Sequence, residues 1–252
     1  MNIMQTLTFE TGGYRFIKAV FQYSAGVAAA RGYRIVRVQF RRPIPLAEGF
    51  RRIERIITEA NRPLTSFCAC ELRSPAPFTE GGFLEFNKIY VDALARWGLF
   101  NGVTNPVARS NVCPAINPPA EPSFHAFSYT EVSDVGVPSF IVSGSGEALE
   151  GQGSYRDRTI RLGDTSSSGV LAKALFVLGE MERRLAVLGY SWDDTTATQI
   201  YTVHDIHPFL AEEIVRRGAA RSGVTWHFSR PPVIDLEYEM DCRSIGVEHV
   251  EL

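Results

Sequence analysis

Residues 107–112 read VARSNV and residues 219–224 read AARSGV. Each stretch follows the second helix-like segment of its half of the chain and precedes a closing strand-like segment. The two lie about 110 residues apart, and self-similarity at one period is the mark of internal duplication. Working outward from the first, FLEFNKIYVDALARWG (83–98) places Phe83, Phe86, Ile89, Tyr90, Ala93, Leu94 and Trp97 on one helical face and stops at Gly98. LTSFCACELRS (64–74) reads as a buried strand, whose period of two sets Cys68 and Cys70 on the same side. LAEGFRRIERIITEAN (46–61) is a helix through Phe50, Ile53, Ile56 and Ile57, ended by Asn61-Arg62-Pro63. Before it the chain is β-rich, broken at Gly12-Gly13, Gly26 and Gly32 and closed by Pro43 and Pro45. NPVARSNVCPAINPPAEP (105–122) reads as a loop, and SFHAFSYTEV (123–132) as a strand.

The second half follows the same scheme. PSFIVSGSGEA (138–148) is a strand running into a Gly/Ser turn. TSSSG (165–169) is an N-cap for the long amphipathic helix that ends at Gly189. DDTTATQIYTVHD (193–205) is a strand, IHPFLAEEIVRRG (206–218) a shorter helix, and VIDLEYEMDCRSI (233–245) the final strand. The expected division is 1–135 and 136–252.

Composition bounds the function. The chain has 252 residues, 45% hydrophobic and 21% charged, which excludes a disordered chain and suffices for a core without staples. Its net charge of −2 argues against a general nucleic-acid binder, which needs a basic stripe. Arginine far outnumbers lysine, and arginine suits bidentate carboxylate recognition. The opening MNIMQTLTFETGGYRF lacks a charged segment followed by an apolar one, so no signal peptide is read there. No run approaches ~18 apolar residues, so no membrane span is expected. Cys68, Cys70, Cys113 and Cys242 make a poor zinc pattern and read as reduced, buried thiols, which fits a cytoplasmic protein.

The ordered series of motifs resembles the RidA (reactive intermediate deaminase) family over roughly residues 14–130 and 137–246. PSFIVSGSG is similar to the family's opening strand, with Ser145 in place of its Gln. AARSGV resembles the family's P-A-R-S-x-V loop, with Ala219 in place of the Pro, and NPVARSNV is the closer match. PPVIDLEYEM resembles the closing strand with its Glu-x-Glu pair. The resemblance implies an α+β fold of two tandem RidA-like (ferredoxin-like, chorismate-mutase-like) repeats. It also implies assembly as a trimer or a multiple of three, with ligand sites in clefts. The implied activity is hydrolysis of an enamine or imine carboxylate to a keto acid and ammonia, with no metal or organic cofactor. Carried over by position, Arg109 and Arg221 grip a carboxylate and Glu237 activates water. His125 falls near the glutamate's place in the first repeat. Ser143 and Gly144 line the cleft, joined by Ser110 and Ser222 of the two R-S pairs. A planar guanidinium offers paired donors to a carboxylate, and a carboxylate in a partly desolvated cleft can serve water as base. Both arginines converging on one substrate would fit a ring-cleavage product with two carboxylates, such as 2-aminomuconate.

Other readings stand beside this one. A non-catalytic carboxylate-binding module would use the same arginine, and a chorismatase-like enzyme is a further alternative. Arg109 and Arg221 can also be plain ion-pair residues. His204 and His207, flanking Asp205, have no third ligand nearby and read as structural. SGSGEALEGQG (143–153) has spaced glycines but no following helix start, so a dinucleotide site is not expected.

Overall fold

The computed structural model describes residues 4–149 and 153–251. The last three of the spaced-glycine stretch before Gly153, residues 150–152, therefore lie outside the described residues, as does the start of the N-terminal segment, residues 1–3. The chain opens with β1 (Thr6–Phe9), β2 (Tyr14–Ile17), β3 (Gly26–Ala29) and the long β4 (Tyr33–Pro45). Then come α1 (Leu46–Glu59), β5 (Phe67–Arg73), α2 (Glu80–Arg96), β6 (Ala108–Pro114) and β7 (Ser123–Val132). The second half contributes β8 (Phe140–Gly146), α3 (Tyr155–Arg158), α4 (Ser167–Leu188) and β9 (Ala197–Tyr201). It ends with α5 (His207–Phe209), β10 (Val224–His227), β11 (Ser229–Arg230), β12 (Glu239–Ser244) and β13 (Val247–Glu251). α5 continues as one wider π-type turn, Leu210–Val215. Among the described residues no helix is long and apolar enough to cross a membrane.

The strands form two sheets. One has seven strands in the order β1-β2-β3-β8-β12-β9-β10, the other six in the order β11-β6-β5-β7-β4-β13. Their central parts share a plan: β6-β5-β7-β4 in one, β10-β9-β12-β8 in the other, each with a single parallel pair at the same place. The expectation of two ferredoxin-like, RidA-like repeats is nevertheless corrected. The fold is mixed α+β, and neither sheet belongs to one half of the chain. β1, β2 and β3 extend the sheet built around β8 and β12, whereas β11 and β13 return to the sheet built around β4 and β5. The physical reason is edge pairing. β3 lies antiparallel to β8, and β13 lies parallel to β4, so strands from one half cover edges left by the other.

Helices pack outside and the sheets face each other. Val177, Leu178 and Met181 of α4 pack on Val142, Met240 and Cys242. Ile53, Ile57 and Tyr90 of α1 and α2 pack on Val38, Leu72 and Phe127. Tyr14, Phe16, Val27, Cys68 and Ala108 fill part of the space between the sheets. Alternation along β12 then has a consequence. With Met240 and Cys242 toward α4, Glu239, Asp241 and Arg243 must turn toward the other sheet.

Several local expectations change. The segment read as a loop at 105–122 contains β6, buried from Asn105 through Cys113. A register shift falls at Cys68, between Phe67 and Ala69, so Cys68 enters the inter-sheet cluster while Cys70 turns to the helix side, 3.3 Å from the Tyr90 hydroxyl. All four cysteines are free and buried. Ile89 is exposed and leaves the apolar face of α2. Ser166 caps α4 by accepting from the Gly169 amide at 3.1 Å, as TSSSG predicts.

Candidate active site

One cavity of about 180 Å³ opens where β6, β8, β12 and α3 meet. That is small-metabolite scale, below the ~300–1,000 Å³ of drug-sized pockets. Arg109 lines it. β6 carries Arg109 opposite Cys70, so its side chain turns to the α2 side. There Phe83, Phe86 and Tyr90, spaced by three and four residues, present one face of rings. The guanidinium carbon stands 4.8 Å from the Tyr90 centroid, 5.2 Å from Tyr23, 5.7 Å from Phe86 and 5.8 Å from Phe83. Arg109 is 3% exposed, and its Nη1 has no hydrogen-bond partner among the described residues. A buried donor left unpaired is costly, so the arrangement fits an anion that completes it. Cation–π contact with the rings fixes the plane of the guanidinium.

Glu239 lines the same cavity and is 4% exposed. Burial pushes its carboxyl well above the ordinary value, and the like charges of Asp241 and Glu147 push the same way; Arg109 and Arg184 act against them. Glu239 is therefore a carboxyl that holds its proton more tightly than usual, within electrostatic reach of Arg109. Gly144 of β8 makes room for it. A Cβ there would overlap Oε1 of Glu239 and stand 3.3 Å from the Ser110 Cα. Ser143 Oγ receives the Arg109 amide at 3.1 Å and donates to the Ser24 carbonyl at 2.6 Å, fixing β6 against β8. Ser110 Oγ donates to Asp241 at 2.5 Å, and Gln199 and Tyr201 hold the same carboxylate at 2.8 and 2.9 Å. Arg184 of α4 lines the cavity and donates to the Ser143 carbonyl at 3.1 Å.

The structure thus brings together Arg109, Ser143 and Gly144, with Ser110 directly behind. It places the other expected residues elsewhere. Arg221 lies in the turn before β10, with its side chain 62% exposed and paired to Asp193 at 2.8 Å. Arg109 is inside a strand, so the two A-R-S-x-V stretches do not occupy matching positions. Ser222 donates to the Thr195 carbonyl at 2.8 Å. Glu237 precedes β12, bonded to Arg230 and, at 2.8 Å, to His204. His207 pairs instead with Asp205, at 2.7 Å. His125 lies half-buried on β7, outside the cavity lining, and burial with the nearby Arg73 lowers its pKa to about 3.

Sequence reasoning missed Glu239, Arg158 and Tyr155. For Glu239 a signal existed. In EMDC (239–242) acidic and apolar residues alternate, which puts Glu239 and Asp241 on one buried face once Met240 and Cys242 face a helix. The site is composite: Arg109 comes from the first half of the chain and Glu239 from the second.

Comparisons with known proteins place the chain in a family. A solved chorismatase superposes with a TM-score of 0.48 and 12% identity, covering 95% of this chain and 79% of that one. A 2-amino-5-chloromuconate deaminase of Comamonas testosteroni is 51% identical over 246 residues, 97% of this chain and 98% of that protein. The family model described as 2-aminomuconate deaminase CnbZ matches residues 6–249. The chain therefore belongs to the 2-aminomuconate deaminase family and is an enzyme that acts on a C–N bond.

Proposed function

We propose that the chain hydrolyses a 2-aminomuconate-type enamine, formed when an aromatic ring is opened, to ammonia and the corresponding keto acid. The observation that carries this reading is the meeting of Arg109, with its unpaired buried donor, and the buried carboxyl of Glu239, its pKa raised by burial, in one small cavity. Arg109 takes the carboxylate next to the amino-bearing carbon, in a ring-walled and poorly hydrated place where the pairing is strong. Glu239 then gives its proton to the enamine carbon, making the iminium. Water adds to the iminium carbon and its proton passes to the Glu239 carboxylate. The same carboxyl protonates nitrogen, the C–N bond breaks with its electron pair leaving on ammonia, and the hydroxyl proton returns to Glu239. One water is consumed, one ammonia is released, and Glu239 ends protonated as it began.

The Comamonas testosteroni relative is named for a substrate with chlorine at carbon 5. The apolar side of this cavity, Val20, Val233 and Leu236, would take such a substituent or a hydrogen. For the assembly we propose a trimer or a multiple of three, measurable by light scattering.

The test is ammonia release from freshly generated 2-aminomuconate, with a 2-aminoacrylate-type imine in parallel. Wild-type protein releases ammonia from the dicarboxylate, and Arg109→Ala and Glu239→Gln lose it. Wild-type turnover in both variants would refute the reading. Binding without release by the wild type would favour a carboxylate-binding module.

A further inference from the structure

A second cation of the cavity is unaccounted for by the reaction above. Arg158, the last residue of α3, lines the cavity from a different wall than Arg109. Its hydrogen-bond partners among the described residues are all neutral. Nε donates to the Ser154 carbonyl at 3.3 Å, Nη2 to the Gly153 carbonyl at 3.2 Å, and Nη1 to the Leu149 carbonyl. The guanidinium also lies 4.9 Å from the centroid of the Tyr155 ring. No carboxylate lies within ion-pair distance of it among the described residues. Arg184, a third cation of the cavity and on α4, has Glu180 at 4.0 Å. Arg158 therefore brings to the cavity wall a positive charge with no direct ion pair among the described residues, with the Glu80 carboxylate within electrostatic reach of it. Three carbonyls and a ring fix its orientation. A guanidinium has five N–H donors. Three are engaged, which leaves one on each terminal nitrogen, the number that a bidentate carboxylate takes. Tyr155, also in the cavity wall, is within electrostatic reach of both Arg158 and Arg109, so the two cations address one ligand-sized space.

We infer that Arg158 binds the second carboxylate of the substrate and is the residue that selects six-carbon dienyl dicarboxylates over monocarboxylates. The inference rests on the proposed deamination of 2-aminomuconate. Arg109 holds the carboxylate beside the reacting carbon, and Arg158 holds the distal one. Because Arg158 is half-buried, the pairing is less screened than a surface ion pair.

The measurement is calorimetric binding of trans,trans-muconate and of sorbate. These share the six-carbon diene and differ in the second carboxylate. Wild-type protein binds muconate more tightly than sorbate, by roughly tenfold to hundredfold, the range of hydrogen bonds to charged groups. Arg158→Gln brings muconate down to the sorbate affinity and leaves sorbate unchanged. Arg158→Lys, which keeps the charge but not the paired donors, recovers part of the difference. The unchanged sorbate affinity also controls for loosening of the chain around α3. If Arg158→Gln weakens both ligands equally, or leaves their ratio at the wild-type value, the inference fails while the deaminase reading stands. If the wild type neither binds muconate nor releases ammonia from 2-aminomuconate, the deaminase reading fails and takes the inference with it.

Discussion

Replacing Gly144 by alanine tests the geometry of the site with a single methyl group. The reason for glycine here is space, since its φ does not lie in the left-handed region. The added Cβ would overlap Oε1 of Glu239, lie 3.1 Å from its Cδ, and be backed by the Ser110 Cα at 3.3 Å. Ser110 belongs to β6, tied to β5 through the Glu71 register pair and to Asp241 by its hydroxyl, so that side cannot yield. The carboxyl of Glu239 must instead retreat by about 1 Å to restore ordinary contact. Misplacing a catalytic group by about 1 Å costs ~100-fold in rate, or roughly 2.7 kcal/mol of barrier. Overpacking adds about 1–3 kcal/mol of lost stability. The assay is steady-state ammonia release from 2-aminomuconate, with a thermal melt alongside. The expected result is kcat down about 100-fold, a melt that stays cooperative, and little change in affinity for trans,trans-muconate. A Gly144→Ala enzyme with wild-type kcat would refute the claim that Glu239 acts from this position.

Other consequences are equally direct. Glu239 carries its proton well above the ordinary 4.5 because it is buried near Asp241 and Glu147. The fold then binds more protons than the unfolded chain above pH ~4.5, so stability is fullest below that value and declines as pH climbs toward the folded pKa. Asp241, also raised by burial, acts in the same sense. Glu239→Gln should flatten part of that decline in urea melts taken from pH 5 to 8, and an unchanged slope would remove Glu239 as its source. Arg221→Ala breaks one exposed ion pair with Asp193, which is worth about 0–1 kcal/mol. Turnover should therefore stay at the wild-type level, and a large drop would mean that Arg221 reaches substrate. Lys173 and Glu147 form an ion pair at 3.2 Å with both side chains fully buried, and Glu147 also accepts from the Glu237 and Tyr238 amides. Lys173→Met should destabilise the fold by about 3–5 kcal/mol, and a shift below ~1 kcal/mol in chemical denaturation would contradict it.

The sequence by itself determined the long helices and pointed to a residue of the candidate site, Arg109. α1 and α4 follow the apolar period, and the rings of α2 share a face because residues three, four and seven apart always do. Local chemistry also set the ends: Ser166 caps α4, and Gly189 ends it with a φ of 83°. Arg109 was legible because its neighbours in the chain, Ala108 and Ser110, travel with it as a short motif. Only the tertiary structure decided the rest. Arg221 has the same neighbours and lies in an exposed turn, because nothing in a short motif fixes which strand it joins. Glu237 and Glu239 look alike as a Glu-x-Glu pair. Their fates differ because β12 begins only at Glu239, which leaves Glu237 outside the alternation that buries its neighbour. The exchange of edge strands between the halves depends on strand pairing between residues more than 100 positions apart, such as Val27 opposite Ile141 and Val36 opposite Val247. Periodicity reports which face of a strand is buried but carries no information about its neighbour, and the candidate site is made of neighbours from the two sheets.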